Sequence, residues 1–103
     1  MTLRLTSGEL AFLERTVVEP LADAGYRVSC FGSRARGESA PYSDVDLFVE
    51  GPGRPRALIS VIKERLVESN FPYKVDLVLE ADLADSYRAS VLAERVPLNT
   101  PQP

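Results

Sequence analysis

Two short segments of this chain alternate polar and apolar residues, and each carries aspartate on its polar side. In Asp44-Val45-Asp46-Leu47-Phe48-Val49, the residues Val45, Leu47 and Val49 share one face and Asp44 and Asp46 share the other. In Lys74-Val75-Asp76-Leu77-Val78-Leu79, Val75, Leu77 and Leu79 take one face and Asp76 the opposite one, together with Lys74. A period of two is that of a β-strand, whose successive side chains point to opposite sides. If both apolar faces rest on helices, all three aspartates point the same way.

The rest of the chain supplies such helices. Thr6 or Ser7 can cap a first helix whose stripe is Leu10, Leu13, Val17 and Leu21. Pro20 kinks or restarts it, and Gly25 is its expected stop. Tyr26 to Phe31 reads as a strand ending at Gly32-Ser33. Asp44 to Glu50 is the second strand, closed by the turn-rich Gly51-Pro52-Gly53-Arg54-Pro55. A helix over 56–69 follows, with Leu58, Ile59, Ile62 and Leu66 on one face, and Asn70 and Pro72 end it. Tyr73 to Glu80 is the third strand. Asp82 is then expected to cap a last helix carrying Leu83, Tyr87 and Val91. This order predicts a small α/β (α+β) domain, a mixed sheet with helices on one face. With 103 residues there is room for one domain, placed at 1–96, and the proline-rich stretch 97–103 is expected to be a flexible tail.

Composition removes several chemistries. The sequence has no histidine, which excludes His-based metal sites and Ser-His or Cys-His catalysis. Its single cysteine, Cys30, cannot form an internal disulfide and reads as a small hydrophobe within the apolar run 28–31. A net charge of −3 argues against a general nucleic-acid binder. Neither a signal-peptide pattern nor an apolar run of membrane-spanning length is present, so the cytoplasm is the expected compartment. Carboxylates, arginines, hydroxyls and metal ions are left to do the chemistry.

The carboxylate patch fits that remainder. Asp44 and Asp46 lie roughly 6.6 Å apart along a strand, and opposed residues on paired strands about 4.5–5.5 Å. Three carboxylates so placed repel one another unless cations compensate. Oxygen-only sites suit Mg²⁺, and two such ions can stabilise both oxygens of a phosphoryl displacement. On its own, an Asp-x-Asp at a strand end serves solubility as readily as metal binding.

The hexapeptide Gly32-Ser33-Arg34-Ala35-Arg36-Gly37 follows the first strand directly. Gly32 allows backbone to approach a ligand, Ser33 offers a hydroxyl, and a short helix starting there would aim N–H groups at an anion. Arg34 and Arg36 can make charge-assisted phosphate contacts. Alone, this hexapeptide reads equally as an arginine-rich surface turn.

Taken together, Gly32-Ser33-x-Ala35-Arg36-Gly37 followed by Ser43-Asp44-x-Asp46-Leu47 resembles the signature of the DNA polymerase β-like nucleotidyltransferase superfamily. In length the chain resembles its minimal nucleotidyltransferases (MNT), and the likeness covers roughly residues 26–96. The resemblance implies that Asp44, Asp46 and Asp76 are catalytic and hold two Mg²⁺ ions. It implies that Gly32, Ser33, Arg36 and Ser43 bind the nucleotide, with ATP as substrate. It further implies pairing with a small helical toxin of the HEPN class, silenced by transfer of AMP to a hydroxyl or by binding alone. The chain is short for a nucleotidyltransferase with its own acceptor domain, so the acceptor is expected from a partner, in a homo- or hetero-oligomer.

A purely binding antitoxin is the alternative reading, and transfer to a small molecule or an RNA end is a third. Further residues complete the expectations. Arg54 and Arg56 read as a solvated loop, Lys74 as a counter-charge to Asp76 or a surface ion pair, and Tyr42 as packing over its loop or stacking on a base. Tyr87 and Val91 suit either a partner-facing stripe or a core.

Overall fold

The computed structural model describes residues 4–38 and 43–98. Thr6 starts the first helix through a reciprocal cap. Its Oγ1 accepts from the Glu9 N–H at 3.0 Å, and the Glu9 carboxylate accepts from the Thr6 N–H at 2.8 Å. Helix α1 (Ser7–Leu13) runs into a π-helical turn (Glu14–Val18) and then α2 (Glu19–Asp23), with Pro20 in the first turn of α2. The wider turn lets the Glu19 N–H reach back to the Glu14 carbonyl, so the helix restarts where proline's missing N–H is harmless. Leu13, Val17, Val18 and Leu21 are buried along this run.

Strand β1 (Arg27–Phe31) follows, then α3 (Ser33–Arg36), β2 (Val45–Glu50), α4 (Arg56–Glu68) and β3 (Val75–Leu79). A 3₁₀ turn (Glu80–Asp82) precedes α5 (Asp85–Glu94), and β4 (Val96–Pro97) closes the sheet. Sheet order is β3-β2-β1-β4. β1 is antiparallel to β2 and to β4, while β2 and β3 are parallel.

The α/β class and the mixed sheet agree with the sequence pattern. Val28 and Cys30 of β1 and Val45, Leu47 and Val49 of β2 join Leu13, Val17, Leu21, Ile59 and Ile62 in one buried cluster. Helices α1, α2 and α4 therefore cover a single face, as expected. Helix α5 departs from that arrangement. The chain moves from β2 to β3 through α4, then back across the sheet from β3 to β4 through α5. Both are parallel crossovers, and such connections are right-handed, so reversing direction puts α5 on the opposite face. The contacts agree. Phe48, on the aspartate side of β2, is wholly buried yet outside the main cluster, as is Val91 of α5.

Two ends differ from the sequence reading. Asp82 does not cap α5, whose N-cap is Ala84; its carboxylate instead pairs with Arg54 at 2.7 Å. Pro97, expected in the tail, pairs with Ser29, and Leu98 is buried in the main cluster with its N–H 3.4 Å from the Val28 carbonyl. The apolar Val96-Pro97-Leu98 thus covers β1.

Candidate active site

The polar face of the sheet collects the acids at one end. Asp46 and Asp76 are Cα partners on the parallel pair β2–β3. Opposed residues of neighbouring strands project to the same side, so their carboxylates share a face. Asp44 lies just before β2 and is exposed. The Asp76 side chain keeps 41% of its surface open, and Lys74 approaches it to 3.8 Å. Lys74 is thus a counter-charge at the acid patch.

Asp46 carries the electrostatic signature of the site. Partial burial raises its pKa above the usual aspartate value, and the neighbouring charges of Asp76 and then Asp44 push it further, against opposing pulls from Arg36 and Lys74. Cys30, two residues before Gly32 and turned into the core, is pushed up to about 11 chiefly by burial. Its thiol is inert at neutral pH.

Gly32 closes the site from the side of β1. Phe31 is the Cα partner of Asp46, which brings the next residue against that carboxylate. A Cβ on Gly32 would sit 2.6 Å from Asp46 Oδ2, and its φ of +79° lies where L side chains are strained. Both facts demand glycine. Ser33 starts α3 and Arg36 ends it, with Gly37 in the left-handed C-cap conformation.

The two arginines of the hexapeptide part company. Arg36 is exposed and pairs with Glu38 at 2.9 Å and Glu94 at 3.2 Å, hydrogen bonds that raise its pKa further. Arg34 is 1% exposed and does not reach toward the acids' open side as the sequence suggested. Its Nε and Nη2 donate to the Ser43 carbonyl at 3.1 and 2.7 Å, its Nη1 donates to the Arg4 carbonyl at 3.0 Å, and it stacks over Tyr73 at 4.4 Å. The buried charge is satisfied by carbonyl oxygens and a ring face. Arg34 therefore ties α3 to Ser43, the residue before Asp44, and helps fix where the acids begin. Tyr42 lies outside the described residues.

Two hollows of about 330 Å³ each flank Phe71, and neither is lined by Asp44, Asp46 or Asp76. Among the described residues, no three acidic, histidine or cysteine side chains converge on one point as a ready metal cage. The donor chemistry nevertheless fits a hard cation: oxygen ligands only, and an Asp46 whose ionised form is made costly first by partial burial and then by its like-charged neighbours. A bound divalent ion would relieve that repulsion.

Sequence reasoning missed Glu94. Its carboxylate accepts from the Gly32 N–H at 3.1 Å while pairing with Arg36. It comes from α5, 62 residues along the chain from Gly32, and no local motif announces it.

Residues 13–99 match the family model described as "Nucleotidyltransferase domain". The chain belongs to this nucleotidyltransferase family. It is 35% identical over 92 residues to a Haemophilus influenzae chain named "Probable protein adenylyltransferase MntA", covering 84% of this chain and 75% of the relative. It is also 35% identical over 69 residues to a Thermococcus cleftensis chain named "Protein adenylyltransferase MntA", covering 67% and 70% of the two chains. In shape, the likeness to a solved Sulfolobus solfataricus chain is slight: TM-score 0.45 and 20% identity, over 87% of this chain and 82% of that one. No helix among the described residues is long and apolar enough to cross a membrane.

Proposed function

We propose that this nucleotidyltransferase is a protein adenylyltransferase, moving AMP from ATP to a hydroxyl of a helical HEPN-type partner as the antitoxin of a two-protein pair. The observation that carries the reading is the Asp46–Asp76 rung with Gly32 pressed against Asp46: acids and an open backbone meet at one end of the strands. The two MntA-named relatives point to the same activity.

In this mechanism Asp44, Asp46 and Asp76 hold divalent cations, Mg²⁺ being the expected ion. The metal supplies charge neutralisation at the phosphates and at the departing oxygen. The chain's own residues do the positioning. Gly32 lets the triphosphate approach the backbone, and Ser33 and Arg36 bind its oxygens. Ser43, held by Arg34, sets the approach to Asp44. The acceptor hydroxyl oxygen forms a bond to the α-phosphorus as the bond to the β-phosphate oxygen breaks, and pyrophosphate leaves. Asp76, whose side chain keeps 41% of its surface open, receives the hydroxyl proton. Lys74 beside it offsets charge before and after the transfer.

The test is transfer of label from α-labelled ATP, with Mg²⁺, to the product of the adjacent gene. Labelled partner is expected, and Asp44→Asn or Asp46→Asn should abolish it. Neutralisation of the partner by those mutants as complete as by the wild type would instead establish an antitoxin that acts by binding.

A further inference from the structure

The anion-binding elements proposed above already hold an anion, and it belongs to the protein itself. Glu94 Oε1 accepts from the Gly32 N–H at 3.1 Å, and both of its carboxylate oxygens lie 3.2–3.3 Å from Arg36 Nη1. A triphosphate seated on Gly32 and Arg36 would need the same donors. A carboxylate carries one negative charge and a triphosphate several, so the two cannot share the place without strong repulsion.

We infer that Glu94 is an internal competitor for the phosphate site, released from Gly32 and Arg36 when nucleotide enters. This rests on the assignment of Gly32 and Arg36 to phosphate binding. The helix that carries Glu94 is suited to yielding. Val91 is the only residue of α5 buried in the fold, while Tyr87 is 66% exposed. Charge contacts also attach it. Arg88 pairs with Glu80 at 3.0 Å, and Arg95, at its end, lies 3.3 Å from Glu50. The partly exposed Arg88–Glu80 pair contributes little, so moving the Glu94 side chain is inexpensive compared with opening the main core. In the apo protein the carboxylate keeps the Gly32 N–H and the Arg36 guanidinium paired and aligned. On nucleotide binding it leaves, and ATP affinity is lowered by the competition.

The experiment measures binding of a non-hydrolysable ATP analogue, with Mg²⁺, to the full chain. Glu94→Gln should tighten Kd by about three- to tenfold, the scale of removing one charge-assisted contact. Asp85→Asn, which removes one charge from the same helix at a side chain 102% exposed, should leave Kd unchanged. A folded Glu94→Gln protein that binds no more tightly, or more weakly, overturns the inference and makes Glu94 a strut. Should that variant not fold, the wild type decides by NMR with inorganic triphosphate and Mg²⁺. The Glu94 carboxyl signal is expected to move to the position of a solvated glutamate as the Gly32 amide shifts. A Glu94 signal that stays put while Gly32 shifts overturns competition alone. Failure of the wild type to bind either phosphate compound overturns the proposed function, and this inference with it.

Discussion

The two faces of the sheet are built from the same strands on opposite terms. On one, Val28, Cys30, Val45, Leu47 and Val49 are essentially closed to solvent beneath α1, α2 and α4. On the other, Asp46 and Asp76 sit side by side under partial cover, with like charges raising the cost of ionising Asp46. The first face lowers the free energy of the fold, and the second spends part of that stability to hold two carboxylates side by side, as the proposed metal and phosphate site requires. Adjacent residues of β2 therefore answer to different demands. Asp46 and Leu47 are neighbours in sequence and opposites in role.

The largest effect that tests this contrast is on catalysis. Asp46→Asn should lower AMP transfer at least ~1000-fold, as expected when a group stabilising developing charge is removed. The same substitution should raise the melting temperature in metal-free buffer by a few degrees. The sign follows from the raised pKa of Asp46. The folded protein holds this proton more tightly than the unfolded chain does. Stability from this group is thus present at low pH and is lost as pH rises above the ordinary value of 3.8 toward the raised folded value. A calorimetric series across that window should show wild type falling relative to Asp46→Asn. A mutant that melts lower than wild type at neutral pH, without metal, would break the contrast.

Leu47→Ala tests the other side. It should cost about 2–5 kcal/mol in denaturant unfolding, the range for truncating a closed core leucine. Transfer per folded molecule should survive at low temperature. Loss of activity at full folding would mean the faces are not separable.

The smallest effects sharpen the split between the arginines. Arg34→Lys should destabilise by about 1–2 kcal/mol, since one ammonium cannot reproduce the paired contact to Ser43 and the stacking on Tyr73. Arg36→Lys, on an exposed side chain, should stay within about 0.5 kcal/mol. Its expected cost lies in nucleotide affinity, and the two unfolding curves measured together decide the matter.

Local chemistry was readable in the sequence; reach across the fold was not. A cap at Thr6 or Ser7, a kink or restart at Pro20 and the alternation around Asp46 and Asp76 each depend on residues a few positions apart, and the structure selects Thr6 and the restart. Arg34 and Arg36 look alike in a hexapeptide, and only the position of the Ser43 carbonyl and the Tyr73 ring separates them. Phe48 was the overlooked sign. It is an aromatic residue on the acidic side of β2, and it needed a cover that the one-sided arrangement of helices did not provide. Glu94 left no trace at all, because its partners Gly32 and Arg36 meet it only after α5 has crossed the sheet.

The parallel register of β2 and β3 has one more consequence. Slipping it by a single residue would turn Leu77 outward and drive Asp76 into the oily layer beneath α4. Misassembled chains would thus lose the reactive centre and their solidity in the same step. Packing on one side proofreads the alignment of acids on the other, so a molecule that holds together has its reactive edge in order.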